Sequence, residues 1–150
     1  MHQNAPLNAS AAVESPIVGY QTISLTQKFT LVGINFSPLT AKDAPAPCLL
    51  NDVISGDFVH GDQIQIQNGN GYKLAGWNSS LKKWCKTTTS GIVSDTVSPL
   101  EITPGVGFWV VSKNAKSDHP VQMKTCGQVL LGSPVSFACG QKYSIVTSTM

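Results

Sequence analysis

The sequence predicts an all-β protein: a single antiparallel β-sandwich or small barrel with little or no helix. Three observations carry this. Apolar residues nowhere recur at i, i+3, i+4 and i+7 over a sustained stretch, which an amphipathic helix requires. Gln63-Ile64-Gln65-Ile66-Gln67 alternates strictly, so one side of that strand faces the core and the other faces water. Short β-prone runs are separated by turn formers such as Asn68-Gly69-Asn70-Gly71 and Pro104-Gly105, the punctuation of sandwiches and barrels.

Taken in order, residues 1–15 are rich in Asn, Ala and Ser without periodicity, so a disordered tail is expected before a single β domain over 16–150. Ile17 to Leu25 alternates, and Phe29 to Phe36 follows a three-residue break, the pattern of a hairpin. Pro38, Pro45 and Pro47 interrupt the next stretch as a loop. Cys48 to Ile54 fits either a strand or a helical turn. Gln63 to Gln67 is a strand, and the Asn-Gly repeat reverses it into Tyr72 to Trp77. Trp77-Asn78-Ser79-Ser80 turns into Leu81 to Lys86. Ile92-Val93 and Ser98 to Thr103 are short strands.

Pro104-Gly105 makes a turn, because Pro presets φ and Gly tolerates a positive value. The run Gly107-Phe108-Trp109-Val110-Val111 has no polar interruption, so it reads as a central strand covered on both faces, with Trp109 core or half-core rather than a ligand contact. Val121 to Cys126 and Gln128 to Leu131 continue the β pattern around Gly127. Near the end, Gln141-Lys142-Tyr143-Ser144-Ile145-Val146 echoes Gln27-Lys28-Phe29-Thr30-Leu31-Val32. The echo either closes the sheet or begins a repeat.

Composition narrows the function. The 150 residues hold enough for one core. Charged residues make up only 12%, about half the usual share of roughly 25%. All ten basic residues are Lys. Without Arg, the usual bidentate reader of phosphate and guanine, nucleic acid is disfavoured as a partner. No apolar run reaches the ~20 residues of a membrane helix. The opening Met1-His2-Gln3-Asn4 lacks the basic and apolar regions of an export signal, while Ser10-Ala11-Ala12 resembles the end of a cleaved one. The expectation is a secreted or surface protein that starts past its signal.

Cys48, Cys85, Cys126 and Cys139 are scattered without a Cys-x-x-Cys pair or a neighbouring His. This spacing argues against zinc, and no metal or cofactor is expected. An even number in a weakly charged β chain suits two disulfides in an oxidising compartment, with four free thiols as the alternative. Cys126 with Cys139 is the first pairing expected, closing a short loop worth about 3 kcal/mol.

Several boxes resemble a secreted β-domain family expanded in verrucomicrobial bacteria. They are Ile17-Val18-Gly19-Tyr20-Gln21-Thr22-Ile23, Phe29 to Phe36, Asp62 to Gln67, Gly71-Tyr72, Trp77, Pro104-Gly105-Val106-Gly107-Phe108-Trp109 and Gly127-Gln128-Val129. The resemblance covers residues 17–131. It implies export, a β-rich fold and an extracellular or cell-surface setting, but no reaction.

Two classes of chemistry remain. No Gly-x-Ser-x-Gly elbow is present, and His60, beside Asp57 and Asp62, reads as loop polarity. Ile92-Val93-Ser94-Asp95-Thr96-Val97 resembles the Asp-Thr-Gly motif of acid proteases, with Val97 where Gly is required and only one copy. Asp95 is therefore the candidate catalytic residue of an alternative, hydrolytic reading that needs a second carboxylate. The leading expectation is binding. Tyr72, Trp77 and Trp84, with Asn78, would offer aromatic platforms and an amide to an extracellular glycan or mucin-like glycoprotein. Self-association through sheet edges is a third class.

Overall fold

A computed structural model describes residues 17–39 and 46–129. Along them run β1 (Val18–Leu25), β2 (Phe29–Val32), β3 (Cys48–Leu49), helix α1 (Leu50–Val53), β4 (Ile54–Gly56), β5 (Gln63–Asn68), β6 (Gly71–Asn78), β7 (Lys83–Thr87), β8 (Val93–Val97), β9 (Glu101–Ile102), β10 (Phe108–Val111) and β11 (Val121–Gln128). They form a six-stranded sheet in the order β2-β10-β5-β6-β7-β8, a three-stranded sheet β1-β11-β4 and the small pair β3-β9. The pairing is antiparallel, and the sheets do not close into a barrel. The architecture is sandwich-like and all-β.

One core joins the two larger sheets. Ile64, Ala75, Trp77, Trp84, Phe108 and Val110 come from the first, and Leu25, Val121, Met123 and Ile54 from the second. Burying such side chains contributes roughly 1.5–3 kcal/mol each. The strict alternation of β5 delivers Ile64 to full burial while its glutamines face the other way. Asn68 to Gly71 makes the expected reversal, and β6 returns in register, Gln67 opposite Tyr72 and Gln65 opposite Leu74.

The Pro104-Gly105 turn also forms. Val106 N–H donates to Thr103 O at 3.1 Å, and Gly105 takes φ 85° at the position where a side chain would be strained. Residues 48–54 resolve into both elements foreseen as alternatives: two strand residues, one helical turn, then strand again.

The expected hairpin between Ile17–Leu25 and Phe29–Phe36 does not form. β1 pairs with β11 and β2 with β10, in different sheets. No residue between β1 and β2 takes a positive φ, as the tight hairpin reversals need. Pairing with β11 instead sets Ile23 opposite Met123 and Leu25 opposite Val121. β2 stops at Val32, and the irregular segment beyond it still buries Ile34 and Phe36. Phe36 closes over a facing glycine pair, Gly19 and Gly127. A Cβ at either would lie 2.5–2.6 Å from Phe36 carbon atoms. The tail, the 141–146 echo and Cys139 lie outside the described residues.

Candidate functional site

The aromatic platform expected from Tyr72, Trp77 and Trp84 is not built. Trp77 and Trp84 face each other across β6 and β7 at 5.1 Å between centroids. Phe58 completes the trio, 4.8 Å from Trp84 and 5.5 Å from Trp77. Trp77 and Trp84 are 6% and 0% exposed, and Trp84 Nε1 donates to Ile54 O at 3.1 Å. They are core residues with no ring face left for a sugar. The signal was available: Tyr72 and Trp77 are five positions apart, an odd number, so they point to opposite faces of one strand. Tyr72, 50% exposed, lies on the outer face.

Asn78 is buried and structural. Its Oδ1 accepts from Ser80 N–H at 3.0 Å and Leu81 N–H at 3.2 Å, shaping the turn into β7. Its Nδ2 donates to Ser94 O at 3.1 Å and Asp95 Oδ1 at 3.0 Å. Asp95 thus serves to hold β8 against β6. Asp57 and Asp62, the acids beside His60, do not supply a second carboxylate to it. Asp62 is fully buried, accepting from Val59 N–H at 3.0 Å, Lys113 N–H at 2.9 Å and the Ser112 hydroxyl at 3.3 Å. Asp57 is exposed on the loop beyond β4.

Cys48, Cys85 and Cys126 are free thiols, which corrects the expected two disulfides. Cys48 is enclosed, its Sγ 3.3 Å from Phe36 O. Burial, reinforced by the negative charges of Asp52 and Glu101, pushes its pKa up to about 11. Burial likewise raises Cys85, helped by Asp95. Both favour the neutral, unreactive form. Among the described residues no three His, Cys, Asp or Glu side chains converge as a metal site, and no helix is long and apolar enough to cross a membrane.

The site that does emerge lies on the outer face of the six-stranded sheet. Register places Leu31, Trp109, Gln65 and Leu74 in one row across four strands. The flanking rows carry Phe29, Val111 and Gln63 on one side, Gln67 and Tyr72 on the other. Phe29 is 54% exposed and Trp109 half-buried. This corrects the expectation that Trp109 sits in a strand covered on both faces: Phe108 and Val110 point inward, and Trp109 points out.

Phe29, Gln65, Tyr72 and Trp109 together line an open groove of about 300 Å³. No Lys, Asp, Glu or His occurs in these rows. Lys28 stands at one end, its ammonium 5.6 Å from the Phe29 ring centroid. Gln65 Nε2 donates to Gln63 Oε1 at 3.1 Å, steadying the amide beside the rings. A second cleft, about 590 Å³, runs beside the β1–β11 pair past Tyr20, Leu39, Val53 and Cys126.

Comparison with protein-family models, with curated proteins and with solved structures gives no match in any of the three. The fold and the face define a sandwich-like β protein with an open, uncharged aromatic groove.

Proposed function

We propose that the chain is a binding module for neutral glycan, carried on an extracellular, mucin-like glycoprotein, and that the ligand lies on the outer face of the six-stranded sheet. One observation carries this reading: Phe29, Trp109 and Tyr72 share a single open groove with the Gln65 amide, and none of its lining residues carries a formal charge. A pyranose offers an apolar ring face to an aromatic side chain and a hydroxyl edge to an amide, and this groove supplies both partners side by side. The low charge of the whole chain suits such a ligand and an exported setting. Hydrolysis through Asp95 has weaker support, because Asn78 already engages its carboxylate and Asp62 is committed to other donors.

The test is binding of the folded chain to a glycan array and to immobilised mucin, wild type against Trp109→Ala. Loss of signal in the variant, with an unchanged circular dichroism spectrum, is expected. Wild type binding nothing, or the variant binding equally well, overturns the proposal.

A further inference from the structure

Resting on that reading, we infer that the groove takes the interior of an unbranched neutral oligosaccharide, laid diagonally across the strands, rather than a single terminal sugar. The register sets the line. Phe29 stands level with Val111 and Gln63, Trp109 level with Gln65, and Tyr72 level with Gln67. From β2 to β6 the contacts therefore step across three strand spacings and four residues along the strands. At about 4.8 Å per strand and about 3.3 Å per residue, the end-to-end backbone span is on the order of 20 Å. One pyranose cannot touch rings at both ends of such a line.

The groove's shape agrees with a chain interior. Its lining consists of strand side chains standing on a sheet face, and among the described residues no loop contributes to it. The outer rings sit at 54% and 50% exposure, open from above, while Trp109 between them is half-buried beside Gln65. The central position combines ring stacking with an amide and holds the first sugars. Phe29 and Tyr72 add affinity only once the chain extends to them.

The experiment is isothermal titration with neutral oligomers of graded length, chitooligosaccharides and poly-N-acetyllactosamine, from monosaccharide upward. Wild type, Phe29→Ala, Tyr72→Ala and Trp109→Ala are compared. Affinity is expected to climb with length and then level off. Trp109→Ala weakens binding at every length. Phe29→Ala and Tyr72→Ala match wild type for the shortest ligand bound but lose roughly 3- to 10-fold for the long ones, the contribution of one aromatic contact. Equal wild-type affinity at all lengths overturns the inference and leaves the glycan reading standing, as does an equal cost of Phe29→Ala at every length. No binding at any length overturns both.

Discussion

The side-chain amide of Asn51 brackets the backbone of Trp84, donating to its carbonyl at 2.9 Å and accepting its N–H at 2.7 Å. Asn51 belongs to α1 and Trp84 to β7, so the amide supplies in one side chain the pair of bonds that a neighbouring strand would give. It fixes the helical turn to the sheet directly behind the aromatic trio. Asn51→Ala leaves the Trp84 N–H without its partner, while the carbonyl keeps the Ser98 N–H at 2.9 Å. A loss of about 1–3 kcal/mol is expected in urea denaturation, with Asn51→Asp keeping the acceptor for the N–H but setting a carboxylate oxygen against the carbonyl.

The glycine pair beneath Phe36 is equally restrictive. A Cβ on Gly127 would stand 2.6 Å from Phe36 Cβ and 2.9 Å from Ser37 O. Gly127→Ala should cost about 1–3 kcal/mol through overpacking. At Gly19 the crowding is with the Phe36 ring, 2.5 Å from Cε1, so Gly19→Ala combined with Phe36→Ala should lose less than the sum in a double-mutant cycle; Gly127→Ala meets the Cβ that alanine keeps, and should stay additive with Phe36→Ala.

Cys48 makes stability depend on alkaline pH. Its thiol is raised from 9.0 to about 11, so the folded state holds the proton more tightly than the unfolded chain. The stabilisation is complete below about pH 9 and is lost as pH rises towards about 11. Denaturation midpoints for wild type should fall across that window more steeply than those of Cys48→Ala. Alkylation with iodoacetamide at neutral pH should reach half-buried Cys126 before buried Cys48 and Cys85.

Trp84 separates packing from recognition. Trp84→Ala should remove about 3–5 kcal/mol, whereas Trp84→Phe should cost less and leave glycan affinity within two-fold, about the precision of titration. A large affinity loss in a folded Trp84→Phe protein would contradict the assignment of the groove to the opposite face of the sheet.

Screening offers another check. With no formal charge in the groove rows and Lys28 only at the margin, affinity for a neutral oligosaccharide should change little when sodium chloride is raised to about 1 M, where the Debye length is about 3 Å. A steep fall would place an anionic ligand at Lys28.

What the sequence conveyed depended on periodicity. Gln63 to Gln67 and the Asn-Gly reversal named β5, β6 and their register because a period of two states which side is buried. Phe108 to Val111 has no such period: four apolar residues in a row hide which of them faces out, so the strand read as covered on both faces and Trp109 as core or half-core. Its true side follows from register against Gln65 and Leu31, which no local pattern supplies. β1 met β11 rather than β2 because partner choice across about a hundred residues rests on core complementarity. Asp62 was visible only as a loop acid; its three donors come from Val59 and from the chain just after β10.

The distribution of the three tryptophans has a spectroscopic consequence. Trp77 and Trp84 are sealed in the interior, and only Trp109 reaches solvent. Iodide should therefore quench a single emitter, the red-shifted one, and a sugar stacked on that ring should shield it. The chain carries its own fluorescent reporter at the centre of the groove, so occupancy can be followed without a label and read separately from unfolding, which would expose the other two.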